Sequence, residues 1–148
     1  MRKIKQKLIQ GISLLEVLLS LSIIAIILVM ATRYFFVASN NNKVNTTRQD
    51  IGSLIAAITS WKNENPVYPG DLSISTLVTD GFLTNTNNIV DNALYDPWGG
   101  EIVLSVSTAG AEISDTFASD PNGHECISLQ NSYPAATCNG NQFSITIN

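Results

Sequence analysis

Between Ile12 and Thr32 the chain is apolar apart from small hydroxyl residues, and its only ionisable side chain is Glu16. A carboxylate near a bilayer core costs roughly a few kcal/mol on insertion scales, so it marks a functional position by default. The stretch contains no basic residue, so any neutralising partner must come from outside it. The second chemical pair is Cys126 and Cys138, the only two cysteines. In a segment delivered to an oxidising compartment they read as a disulfide and not as free thiols. Closing the short loop 126–138 would contribute roughly 3 kcal/mol in the loop-closure account.

Other groupings of reactive residue types do not complete a site. His124 and Glu125 precede Cys126, but a bonded sulfur cannot attack, and Ser128 has neither an oriented base nor the glycines of a nucleophile elbow. No catalytic role is filled, so the chain is not expected to be an enzyme. A single histidine and the absence of Cys-x-x-Cys argue against zinc or thiol redox chemistry. Asp115, Asp120, Asn122 and Glu125 offer the oxygen donors that calcium prefers, yet Asp120-Pro121-Asn122-Gly123-His124 breaks the EF-hand spacing. These residues read as solvated acidic turns, and no metal or cofactor is assigned. Trp61 and Trp98 read as core and turn-packing residues.

The elements that must position Glu16 begin with the apolar run itself. Val17 to Thr32 gives a helix of roughly 24 Å, and starting at Ile12 extends it past roughly 30 Å, enough to span a membrane. Arg2, Lys3, Lys5 and Lys7 precede it with no acid among them, which holds residues 1–10 in the cytoplasm and sends the remainder outward. A secretory signal would end in a small-residue cleavage site after the apolar run, and Ala31-Thr32-Arg33 is a poor one. A single-span anchor with Glu16 at the water interface is the plainer reading of the same pattern. Without residues 1–11 the chain keeps four basic side chains against twelve acidic ones, a formal charge of −8. A basic patch for nucleic acid is missing, since Arg33, Lys43, Arg48 and Lys62 all fall on the first helix.

Gly11-Ile12-Ser13-Leu14-Leu15-Glu16-Val17, after the short basic leader, resembles the class III signal of type IV prepilins and type II secretion pseudopilins. The likeness covers residues 1 to about 35. It implies that a prepilin peptidase cleaves between Gly11 and Ile12 and methylates the new Ile12 amine. It also implies that the apolar helix is retained as an assembly element. Glu16 would then pair with the Ile12 amine of a neighbouring copy, exchanging a lone buried charge for a compensated pair. The partners implied are membrane lipid, the peptidase, an inner-membrane assembly platform and other copies of the chain, with no nucleic acid.

Beyond the membrane run, Ile51, Leu54, Ile55, Ile58 and Trp61 recur at three- and four-residue spacing, which predicts that the helix continues with one apolar stripe. Asn65-Pro66 should end it. Ser39-Asn40-Asn41-Asn42 has poor helix propensity and would loosen the rod locally. Ser73 and Gly81 frame a short helix as N-cap and C′ glycine. The polar segment 85–92 reads as surface loop, and Asp96-Pro97-Trp98-Gly99-Gly100 as a turn. Strands are predicted through Ile102, Leu104 and Val106, from Ala111 to Phe117, from Cys126 to Gln130 and from Phe143 to Ile147.

The expected fold class is thus α+β: a long N-terminal helix, half transmembrane and half amphipathic, on a small antiparallel sheet with a C-terminal disulfide loop. The expected parts are a leader 1–11, a transmembrane assembly helix 12–32, its amphipathic continuation 33–65 and a globular sheet domain 66–148. Leu77 to Leu83 followed by Asp96-Pro97-Trp98-Gly99 is similar to major pseudopilins. Trp98-Gly99-Gly100 before a strand, and Glu125 to Leu129 before a second cysteine, look more like type IVb pilins. The cysteine pair, and Arg33 where type IVa pilins and many pseudopilins carry a proline, favour the type IVb likeness. The leader is short for that group, and the chain is small. The implied product is a pilus subunit, single-pass in the bacterial inner membrane before assembly and extracellular after it. A periplasmic pseudopilin of type II secretion is the first alternative, and a membrane-tethered binding module that never polymerises is the second. Adhesion, aggregation, motility and DNA uptake are not separated by the residues.

Overall fold

The computed structural model describes residues 13–65, 70, 72–84, 88–117 and 123–148. The chain divides into two compact units, Met1–Ser39 and Asn40–Asn148, and the boundary falls inside the Ser39-Asn40-Asn41-Asn42 cluster. Helix α1, Leu14–Glu64, nevertheless runs through that cluster without interruption. The predicted local loosening is absent from its hydrogen-bonded course, because intrinsic propensity differences of a few tenths of a kcal/mol per residue do not outweigh a cooperative helix. Two caps close α1 at the predicted place: the Asn65 amide donates to the Trp61 carbonyl at 2.9 Å, and Asn65 Nδ2 donates to the same oxygen at 3.1 Å.

In the first unit every described residue from 13 to 38 is exposed. In the second, α1 buries Ile51, Leu54, Ile58 and Trp61 of the expected stripe and half-buries Ile55, and the buried face also takes in Val44, Thr47 and Ala57, which the spacing did not single out. Thr47 tolerates burial because its hydroxyl donates to the Lys43 carbonyl at 3.1 Å. Full burial of side chains such as Ile51, Leu54 and Ile58 contributes about 1.5–3 kcal/mol each. Helix α2, Ile74–Thr79, starts at Ser73, whose hydroxyl accepts from the Thr76 amide. It stops before Gly81, whose φ of +80° is left-handed and suits a C′ glycine. Both caps fall at the predicted residues.

The sheet has six antiparallel strands in the order β1-β2-β3-β4-β6-β5. They are β1 Ile89–Val90, β2 Ala93–Tyr95, β3 Glu101–Ser107, β4 Gly110–Thr116, β5 Ala136–Asn139 and β6 Gln142–Ile147. Ile102, Ala111, Ile113, Phe117, Phe143 and Ile145 join the α1 stripe in one buried cluster. The α+β layout of long apolar helix, antiparallel sheet and disulfide is therefore present.

Three expectations need correction. The segment read as a strand from Cys126 to Gln130 is helix α3, His124–Gln130. Cys126 and Leu129 are buried three residues apart, a helical spacing, whereas Ile127 points outward and is half exposed. The polar stretch 85–92 is not all loop, because Ile89–Val90 pairs with Ala93–Tyr95 through Asp91 and Asn92, both at positive φ. Strand β5 has no counterpart among the expected strands. It turns into β6 through Gly140 and Asn141, with Asn139 opposite Gln142.

Candidate assembly helix and buried carboxylate pair

Glu16 lies in the first turn of α1, where the positive end of the helix dipole favours an acid. Its amide and that of Val17 donate to the Ser13 carbonyl at 2.9 and 3.2 Å, so the helix is already wound at this point. Gly11 and Ile12, the predicted processing pair, lie outside the described residues. Around Glu16 the helix surface is bare and apolar: Leu14 is 80% exposed, and Leu18, Leu19, Leu21, Ile26, Ile27 and Leu28 are all well exposed. Its few hydroxyls are bonded internally. Ser20 Oγ donates to the Val17 carbonyl and Ser22 Oγ to that of Leu18, each at 2.8 Å, and Thr32 Oγ1 donates to Leu28. No polar group of these side chains therefore needs water, the condition for residence in lipid or in a bundle of helices.

The apolar stretch ends at Arg33, followed by exposed Tyr34, Phe35 and Phe36, with the two phenylalanine rings edge-to-face at 6.1 Å. From Leu14 to Arg33 the helical rise gives roughly 29 Å, close to the hydrocarbon thickness of a bilayer. The helix is long and apolar enough to cross a membrane.

The second unit contains polar chemistry of a different kind. Asp96 and Asp115 are buried, 5% and 1% exposed, so the reading of Asp115 as a solvated acidic turn is overturned. Asp115 sits in β4 on the same side as Ala111 and Ile113, facing the core. Asp96 Oδ1 accepts from the amides of Trp98 at 2.8 Å and Gly100 at 2.7 Å, fixing the turn that leads into β3. Burial, reinforced by the negative charge of Asp96, pushes the Asp115 carboxyl up to about 7, with the Thr116 amide opposing the shift. Gly100 is needed here for space. A Cβ on it would lie 2.8 Å from both Asp96 Oδ2 and the Thr116 carbonyl oxygen. Gly100→Ala is expected to lower stability by about 1–3 kcal/mol through overpacking, read as a lower urea midpoint. An unchanged midpoint would show that the turn relaxes freely.

Trp98 packs edge-to-face on Phe117 at 5.6 Å and carries the Lys43 ammonium over its ring, also at 5.6 Å, so it does the predicted turn packing. Trp61 is buried in α1 as predicted. Cys126 and Cys138 are bonded, which ties α3 to β5. His124 is exposed at the start of α3. Tyr133 fastens the segment between α3 and β5 to α1, its hydroxyl donating to the Arg48 carbonyl at 2.7 Å. Among the described residues no group of three or more His, Cys, Asp or Glu side chains is placed to hold a metal. Asp120 and Asn122 lie outside the described residues.

A cleft of about 280 Å³ opens beside Ser53, Ala56, Phe82 and Leu94, with Asp50 at its wall. Burial raises the Asp50 carboxyl above its usual range, and the hydrogen bond from Asn88 Nδ2, at 2.7 Å, opposes that. No pattern in the sequence singles out Asp96 or Asp50 as acids of interest. Asp115 carried a usable signal, since it has the strand parity of the buried Ala111 and Ile113.

No protein-family model matches the chain, and neither the curated proteins nor the solved structures gave a match to it.

Proposed function

We propose that the chain is a structural subunit of a type IV pilus-like filament, made as a single-pass inner-membrane precursor, cleaved after Gly11 and polymerised through its N-terminal helix. The observation that carries this reading is an apolar helix half that no described residue of its own unit covers, with a single acid, Glu16, in its first turn. Burying that surface against lipid, and later against other copies, removes the free-energy cost of leaving it in water. In the precursor, Arg33 and Tyr34 to Phe36 sit at the outer membrane–water interface, where aromatic and basic side chains anchor helices. Glu16 then lies near the opposite face of the bilayer, close to the cytoplasmic leader that the peptidase removes. After cleavage the Ile12 amine of one copy meets Glu16 of the next, and residues 17–32 form the filament core.

Two measurements test this together. Mass spectrometry of the mature protein is expected to find an N-terminus at Ile12 bearing one methyl group. Electron microscopy of sheared surface material is expected to show thin filaments containing the chain. Mature protein that retains Met1 to Gly11, or that has lost the apolar helix, overturns the proposal. A pseudopilin of type II secretion shares the processing but leaves no surface filament. The disulfide favours the pilin reading, because the resemblance to type IVb pilins includes such a bridge.

A further inference from the structure

The charge state of the buried acids in the second unit is independent of whether the chain forms filaments. Asp96 follows β2 and Asp115 lies in β4. With Asp96 Oδ1 taken by two amides, three acceptors remain: Asp96 Oδ2 and both oxygens of Asp115. None of the three has a donor in hydrogen-bond geometry, and the Thr116 amide acts on Asp115 only from outside it. Buried carboxylate oxygens left in this way are costly, and more so when the group is charged.

A Cβ on Gly100 would lie 2.8 Å from both Asp96 Oδ2 and the Thr116 carbonyl oxygen, so the free oxygen of Asp96 abuts the chain next to Asp115, near enough for its charge to act on that carboxyl. Two ionised carboxylates so placed only repel, whereas one proton between them turns an acceptor into a donor and relieves both. The surrounding charges do not supply that relief. On α1, Lys43 is engaged over the Trp98 ring, Arg48 Nη1 donates to Asn45 and Asp50 accepts from Asn88. Glu101 at the start of β3 and Glu112 on the outer side of β4 are exposed. Strand β6, which sets Phe143 opposite Asp115, has no ionisable side chain. Tyr95 in β2 is half-buried, and His124 and Glu125 open α3.

We propose that Asp96 and Asp115 hold a single proton between them and form a pH-released clasp joining the 96–100 turn to β4. With the proton in place the turn, β3 and the end of β4 are held together. When it leaves, two like charges face each other in the protein interior, and the clasp favours opening. The folded protein therefore binds this proton more tightly than the unfolded chain does. The sign follows directly: stability is greatest at acid pH, falls as pH rises through the interval between the ordinary aspartate value of 3.8 and about 7, and levels off above it.

The test is urea unfolding of the full-length protein in detergent micelles, with chelator present, followed by tryptophan fluorescence across pH 5 to 8. The wild-type unfolding constant is expected to rise roughly a hundredfold over that range through this one group. Asp115→Asn carries an amide that can donate to Asp96 Oδ2 at any pH. It is expected to lose most of the rise and to exceed wild type in stability at pH 8. Parallel profiles for the two proteins overturn the clasp. If Asp115→Asn does not fold, carbon-13 NMR of labelled aspartate carboxyls in the wild type decides the matter. One carboxyl titrating near 7 upholds the proposal, and both ionised at pH 5.5 overturns it. Millimolar calcium that raises the wild-type midpoint at pH 8 but leaves Asp115→Asn unmoved would show that the space takes a cation, which also overturns it.

Discussion

Glu16→Ala is expected to leave the protein in the membrane fraction and to abolish filaments in sheared surface material. Insertion does not suffer, because the substitution removes a carboxylate that costs roughly a few kcal/mol in the bilayer and leaves the apolar length intact. Assembly suffers because the Ile12 amine of each incoming copy would be buried with nothing to pair it. Removing one partner of a buried ion pair costs about 3–5 kcal/mol. That is roughly a 10²- to 4 × 10³-fold loss in the affinity of every addition step. The cost recurs with each subunit, so a modest change per contact removes the polymer. Ser20→Ala is the control, since it deletes only the bond from Ser20 Oγ to the Val17 carbonyl and is expected to leave filaments intact. Filaments at wild-type yield from Glu16→Ala would instead favour a helix that tethers a binding module without polymerising.

The double substitution Cys126→Ser, Cys138→Ser is expected to lower stability by about 3 kcal/mol, from the loop-closure account for a separation of 12 residues. The bridge matters beyond its loop because α3 is short, seven residues, and its N-cap Gly123 provides no side-chain hydrogen bond. A helix of that length is marginal without tertiary support. The buried Leu129 and the Gln130 Nε2 bond to the Ala136 carbonyl at 3.2 Å also help to hold it. The check is urea unfolding in micelles with and without reductant. Wild type under reductant should approach the double variant, and the variant should not respond. A shift below about 1 kcal/mol would mean that packing alone holds α3 in place.

The parts of the fold legible in the sequence were those with long repeated signals. The α1 stripe from Ile51 to Trp61, the Ser73 and Gly81 caps, the 96–100 turn and the strands of seven, seven and six residues all carry periodicity or turn chemistry that local rules detect. The misreadings are short. Cys126-Ile127-Ser128-Leu129 alternates well enough to look like a strand, and its helical state is fixed by which residues meet the core and by the bridge to Cys138, neither a local property. Strands β1 and β2 have two and three residues, too few for a period to show. The Asp91-Asn92 pair, both at positive φ, was the available hint of a tight hairpin turn. At the candidate site, Glu16 was conspicuous because a charge contrasts with an apolar run. Asp96 was not, because an aspartate before Pro-Trp-Gly-Gly looks like ordinary turn chemistry, and only the folded chain buries it beside the end of β4.

Crowding many copies of a six-stranded sheet together carries a hazard, since an unpaired margin recruits a strand from its neighbour. The margins of this sheet are β1, two residues long, and β5, four. One is too brief to template anything. The other is cross-linked to α3 through Cys138, and its Ala136 carbonyl is already occupied. Among the described residues neither presents a long ribbon of vacant amides, so sideways adhesion into amyloid-like stacks is discouraged.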